Sequence, residues 1–151
     1  MLSKRMADRP PRYKNGGEML KANYDSERKD GILVSYKVAA GVLIYKGALV
    51  CLNAQGYAVS ARDEGGLRFV GIAYERGDNT GGLTGASVRV WKDGSFRVPM
   101  AGAAREDLGA LAYAVDDNTV ALDTGFSVYT GTIVEIPAEG VVRILIRNAV
   151  R

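Results

Sequence analysis

The placement of glycine constrains this chain more than any other feature. Glycine fills 19 of 151 positions, nearly twice the usual ~7%, and the glycines stand mostly singly between short apolar runs. A flexible linker would cluster them; isolated glycines between apolar runs mark the turns and bulges of a β protein. From Gly31 onward the apolar residues recur with period two. Ile32, Val34, Tyr36 and Val38 fall on one face, and Ser35 and Lys37 on the other, which is the alternation of a half-buried strand. Similar runs return at 48–53, 57–61, 68–75, 87–92, 95–98, 111–115, 119–122, 128–136 and 141–146. The expectation is an all-β domain over 31–151, a small β-barrel or sandwich of about ten short strands. Lys92-Asp93-Gly94-Ser95 carries a hairpin signal, and residues 103–108 offer a helical turn.

The runs also repeat. Gly47-Ala48-Leu49 returns as Gly109-Ala110-Leu111, an offset of 62. Val70-Gly71-Ile72-Ala73-Tyr74-Glu75 returns as Thr130-Gly131-Thr132-Ile133-Val134-Glu135 (offset 60), and Val88-Arg89-Val90 as Val142-Arg143-Ile144 (offset 54). Three matches in one order point to two similar β units closing a single core, the first unit carrying the longer loop over 76–85.

Charge divides the chain differently. Residues 1–30 hold eight basic and five acidic residues, whereas 31–151 hold twelve of each, so the whole net charge of +3 belongs to the first thirty residues. That stretch contains Pro10-Pro11 and Asn15-Gly16-Gly17 and is too polar to build a core. It reads as an extended basic N-terminal arm in which Arg5, Arg9, Arg12, Tyr13 and Lys14 are the candidate binding residues, ordering on contact with a partner. A neutral body argues against nucleic acid as that partner. No apolar core of an export signal follows Met1. The longest uncharged stretch, 47–61, is too short and polar to span a bilayer. The expectation is a protein made in the cytoplasm, with no membrane partner.

Chemistry is restricted by what the alphabet lacks. The chain has no histidine and one cysteine, Cys51, so no Ser-His, Cys-His or His-metal site can be built and no internal disulfide can form. Adjacent acids at Asp63-Glu64, Glu106-Asp107 and Asp116-Asp117 would point to opposite sides of a strand, unlike a glycosidase pair. Asp116-Asp117-Asn118 is explained by turn chemistry. The loop Asp78-Asn79-Thr80-Gly81 lacks the order of a calcium loop and reads as a flexible hairpin tip. Arg76-Gly77-Asp78 spells an adhesion tripeptide with nothing extracellular around it. Cys51 sits mid-strand among Ala48, Val50 and Leu52 and reads as a small buried hydrophobe. Six of the eight tyrosines (36, 45, 57, 74, 113 and 129) fall in strand runs, where aromatics pack well. No cofactor, metal or catalytic residue is expected.

The order of the strand motifs resembles the cement, or head-decoration, proteins of tailed bacteriophages. The matching elements are Lys46-Gly47-Ala48-Leu49-Val50, Phe69-Val70-Gly71-Ile72-Ala73 and Val88-Arg89-Val90-Trp91-Lys92-Asp93-Gly94. They continue with Gly109-Ala110-Leu111-Ala112-Tyr113, Val128-Tyr129-Thr130-Gly131-Thr132-Ile133-Val134 and Val142-Arg143-Ile144. Ala110 stands where that family usually has Asp, and the arm has no counterpart. The resemblance implies a small β-barrel on the outside of a phage capsid, bridging and stabilising neighbouring major capsid protein subunits, with no enzymatic activity. A homotrimer is expected, with a dimer as the fallback. Two other classes stay open: a tail or baseplate β-protein of the virion, and a small-molecule-processing β-barrel enzyme using Asp116 or Asp123.

Overall fold

The computed structural model describes residues 21–22, 32–82, 85–122 and 125–146. The arm residues Arg5, Arg9, Arg12, Tyr13 and Lys14 therefore lie outside the described residues, as does Asp123. The first half of the body forms β1 (Leu33–Lys37), β2 (Leu43–Ile44), β3 (Leu49–Leu52), β4 (Ala58–Ser60), β5 (Arg68–Ala73), β6 (Gly77–Asp78) and β7 (Ser87–Trp91). The second half forms β8 (Ser95–Pro99), β9 (Leu111–Ala114), β10 (Val120–Ala121), β11 (Tyr129–Ala138) and β12 (Val141–Leu145). All ten runs read from the sequence are strands. A single 3-10 turn over Arg105–Asp107 occupies the expected helical position, its first amide at Ala104 donating to Asp107 Oδ2 (2.8 Å).

The strands make three antiparallel sheets. Sheet 1 runs β1-β7-β5-β3-β4, sheet 2 runs β10-β9-β11-β12-β8, and β2 and β6 pair as a short ribbon. Of the two expected architectures the sandwich is the one formed. Lys92-Asp93-Gly94-Ser95 does make a turn, with Gly94 at φ +116° and its amide on Asp93 Oδ1 (2.8 Å). It is a crossover between sheets, however, and not a hairpin. Both edges of β7 are already taken by β1 and β5, so β8 has no edge to pair with and starts sheet 2 instead.

The two five-stranded sheets are copies of one another, strand for strand. Shifts of 62 carry β1, β3 and β4 onto β8, β9 and β10, while β5 and β7 map onto β11 and β12 with the offsets 60 and 54 of the sequence repeat. The registers agree: Leu33 faces Trp91 and Lys37 faces Ser87 in sheet 1, and Ser95 faces Leu145 and Pro99 faces Val141 in sheet 2. Each copy carries the same β-bulge. Val70 is skipped between the pairs Val50–Gly71 and Cys51–Phe69, as Thr130 is between Ala112–Gly131 and Tyr113–Tyr129. Even the lead-in bonds recur, from Gly47 N to Ala73 O (2.9 Å) and from Gly109 N to Ile133 O (2.8 Å). At Gly71 a Cβ would lie 2.1 Å from the Trp91 carbonyl oxygen, and at Gly131 2.6 Å from that of Leu145. Both glycines are there so that two backbones can approach across the bulge.

Packing breaks this symmetry. We call the face of sheet 1 bearing Leu49, Cys51, Phe69 and Ile72 its front, and the equivalent face of sheet 2 likewise. The front of sheet 1 packs against the back of sheet 2, where Met100, Ala112, Val120, Val142 and Ile144 are all at most 2% exposed, and together they make the main core. Each fully buried Val or Ile here contributes about 1.5–3 kcal/mol by leaving water. The back of sheet 1 encloses a separate core of Val38, Val50, Ala58, Val70, Val88 and Val90. Sheet 1 curls until its edge strands touch at a Val38–Ala58 bridge, and Ile44 of the β2–β6 ribbon, fully buried, packs into the same core. The repeat is thus stacked front to back, not face to face.

Candidate functional site

Four of the six adjacent acids have structural work. Asp63 Oδ1 accepts the Ser127 amide (2.9 Å), tying the first half to the second, and Glu64 accepts from Arg62 Nε (2.6 Å). Asp107 caps its own turn, while Asp116 Oδ1 accepts the Asn118 amide (2.8 Å) in the β9–β10 turn. The Asp117 carbonyl accepts Leu49 N (2.9 Å), so this turn also docks on β3. Burial, and then the neighbouring Asp116 charge, raises the Asp117 carboxyl above the usual range. It borders a small cleft of about 170 Å³ with Leu49, Ile72, Phe96 and Val98. A raised carboxyl is half of a general acid–base pair, but the acids named from sequence for an enzyme were Asp116, which is engaged in this turn, and Asp123, which is outside the described residues.

Cys51 is fully buried in the main core. Burial pushes its thiol up to about 12, against a small opposing effect of Arg62. The nucleophilic thiolate is therefore disfavoured at neutral pH, and the small-hydrophobe role read from the sequence is the one its place in the core describes.

The 76–81 segment departs from expectation. Instead of a flexible tip it is strand β6 and an anchor. Asn79 is only 3% exposed. Its Nδ2 donates to Val38 O (2.9 Å), its amide to Val42 O (2.8 Å), and its carbonyl accepts Gly41 N (2.8 Å) and Gly82 N (3.0 Å). Its Oδ1 is buried with no hydrogen-bond partner. One side chain thus holds the ribbon to the edge of sheet 1, a role that a hydrophilic loop signal conceals. Asp78 accepts from both the amide and the hydroxyl of Thr80 (2.9 and 2.7 Å), which lower its carboxyl below the usual range. Arg76-Gly77-Asp78 is not displayed as an adhesion loop: Gly77 is buried, and a Cβ there would lie 2.7 Å from Val88 Cβ.

Two surfaces emerge that no motif announced. The first is an open groove of about 610 Å³ where Ile72, Trp91 and Phe96 meet Lys46, Tyr74 and Arg76. Tyr74 stands edge-on to Trp91 (5.2 Å between centroids), with the Arg89 guanidinium 5.0 Å above the Tyr74 ring. Arg89 also holds Glu75 through Nε (3.0 Å) and Nη2 (2.8 Å), and these hydrogen bonds lower the Glu75 carboxyl. The pair recurs in the second copy as Arg143 Nε to Glu135 (2.8 Å), so it belongs to the repeat's architecture. The second surface is the front of sheet 2. Leu111 is 47% exposed there, beside half-buried Tyr113, Tyr129, Thr132 and Leu145, with the two tyrosine rings 5.9 Å apart. The sequence signal for it was available: these positions are the repeat partners of Leu49, Cys51, Phe69, Ile72 and Trp91.

Among the described residues no three His, Cys, Asp or Glu side chains cluster to hold a metal ion, and no helix is long and apolar enough to cross a membrane. No family model, no curated protein and no solved structure matches this chain.

Proposed function

We propose that this protein is a non-enzymatic structural component of a tailed-phage head. It sits on the capsid exterior and bridges neighbouring major capsid protein subunits. The observation that carries the reading is how the reactive side chains are used. Asp116 closes a turn, Asp107 caps the 3-10 segment and Asp63 ties one half to the other, and the one thiol is core. Behind it stands the resemblance in strand-motif order, whose every quoted motif overlaps a strand. The protein works as a homo-oligomer, a trimer in the first expectation and a dimer in the second. Its basic arm binds acidic grooves of the shell or of a neighbouring copy through charge-assisted contacts of Arg5, Arg9, Arg12 and Lys14, with Tyr13 alongside.

Deleting residues 1–14 tests the reading. The truncated protein should melt within ~2 °C of the full chain, because the described body makes its own core. Its occupancy on purified capsids, counted by electron microscopy, should fall several-fold, and occupancy of the full chain should decline between 50 and 300 mM salt, roughly the range over which exposed charges become screened. Equal occupancy of both proteins at moderate ionic strength would refute the arm's role. Failure of the full chain to bind any capsid would refute the function.

A further inference from the structure

We propose that the front of sheet 2 is the surface through which two copies of this chain pair, like face to like face. The inference rests on the self-association in the reading above, takes its dimer in place of its trimer, and identifies where the contact occurs. Its warrant is the repeat. The front of sheet 1 is covered within the chain by another sheet of the same construction, whereas on the identical face of sheet 2 Leu111 is 47% exposed, with Tyr113 and Leu145 half-buried near it. A face turned permanently to water would carry charged and polar residues at its inward-equivalent positions. Here Leu49 is matched by Leu111, Cys51 by Tyr113, Phe69 by Tyr129 and Trp91 by Leu145, and only Ile72 gives way to a polar residue, Thr132.

The footprint is conserved as well as the chemistry. On sheet 1 the covered part of the front lies on β3, β4 and β5, while Ser87 and Arg89 on β7 and Lys37 on β1 stay exposed. On sheet 2 the apolar side chains again lie on β9, β11 and the near end of β12. The charged Arg143 and Arg97 lie to the β12–β8 side, register partners of each other.

Which surface of the second copy can sit there follows by elimination. The internal contact is front to back, so continuing it would need a free back. The back of sheet 2 is occupied by sheet 1. The back of sheet 1 is closed by its own edge bridge and by the ribbon that Asn79 anchors. An open head-to-tail stack is therefore blocked at the first copy. The remaining match is a second sheet 2 front, across a two-fold axis, which closes the assembly at two.

Sedimentation velocity of the full chain over 1–200 µM tests this with Leu111→Lys, and with Tyr45→Lys as a control that removes a 61%-exposed apolar side chain elsewhere. The wild type and Tyr45→Lys should be dimeric at the upper end. Leu111→Lys should weaken the dimer at least tenfold while melting within ~2 °C of wild type. Should the lysine disturb folding, Leu111→Ser reports the same contact more gently. A wild type that stays monomeric, a trimer, or a Leu111→Lys dimer as tight as wild type would each overturn the proposal. A dimer that is Leu111-dependent yet binds no capsid would support this pairing and refute the capsid role, so the two readings fail separately.

Discussion

Gly71→Ala should be the most damaging small substitution in the protein, lowering stability by about 3–5 kcal/mol. Two effects combine. The backbone there has φ +147°, a conformation that L side chains rarely adopt, and the new Cβ would lie 2.1 Å from the Trp91 carbonyl oxygen. That oxygen belongs to a neighbouring strand and cannot swing aside as a side chain could. Relief requires β5 and β7 to separate at the bulge, which breaks the centre of sheet 1. Gly131→Ala repeats the experiment in the second copy, where the approach is 2.6 Å, and should cost somewhat less. Gly82→Ala is the contrast: φ is +72° with nothing within 4 Å, so only the local left-handed penalty of about 1–2 kcal/mol applies. Urea unfolding of the three variants checks the ranking. A Gly71→Ala variant no less stable than Gly82→Ala would mean that the bulge is not held as described.

Asn79→Asp should follow closely, costing about 3–5 kcal/mol at pH 7, and its effect should depend on pH. The side chain is buried and its Nδ2 donates to Val38 O at 2.9 Å. A carboxylate in that place would present an acceptor to the Val38 carbonyl, and the other oxygen would have no protein donor. Only the protonated acid could restore the bond, so the folded-state pKa of the new group is raised above that of the unfolded chain, ~3.9. Between those two values the folded state holds more protons than the unfolded one. Stability of the variant therefore falls as pH rises through that window, by about 1.4 kcal/mol per unit, and is best preserved below it. Melting of variant and wild type from pH 3 to 8 measures the difference. A difference that stayed flat with pH would show that the carboxylate finds solvent and that Asn79 is not sealed under the ribbon.

Much of this architecture was legible in the order of residues. Period-two runs placed the ten strands of the two large sheets, because alternation is a direct consequence of one covered face, and even two-residue β10 lies inside the longer run at 119–122. The three repeat matches gave the duplication, because Gly71 and Gly131 answer the same steric demand. What escaped was non-local. β2 and β6 are two residues each, too short to carry a period, and Asn79 reads as a loop residue until its partner Val38, 41 positions away, is known. The turn at Asp93-Gly94 was visible, but turn chemistry says that the chain reverses, not which sheet it then joins. Likewise the repeat marks Leu49 and Leu111 as equivalent without saying that packing buries one (1% exposed) and leaves the other at 47%. The arm's residues were chosen on charge alone and lie outside the described residues.

The crossover at Asp93-Gly94 also sets an order of events during synthesis. Every strand of sheet 1 lies before that turn and every strand of sheet 2 after it, so the first sheet can complete its pairing when Trp91 leaves the ribosome. It then has one finished core, on its back, and one bare apolar face. The 54 residues from there to Leu145 take roughly 3–10 s to translate at the usual ~5–20 residues per second. For those seconds the nascent chain is a half-molecule stable enough to persist and sticky enough to aggregate. The second sheet has no such independence, because its principal core is finished only by the first. Synthesis in the reverse order would leave a sheet waiting without a core at all, and nascent chains arrested once Gly94 has cleared the ribosome should already resist proteolysis over 32–92.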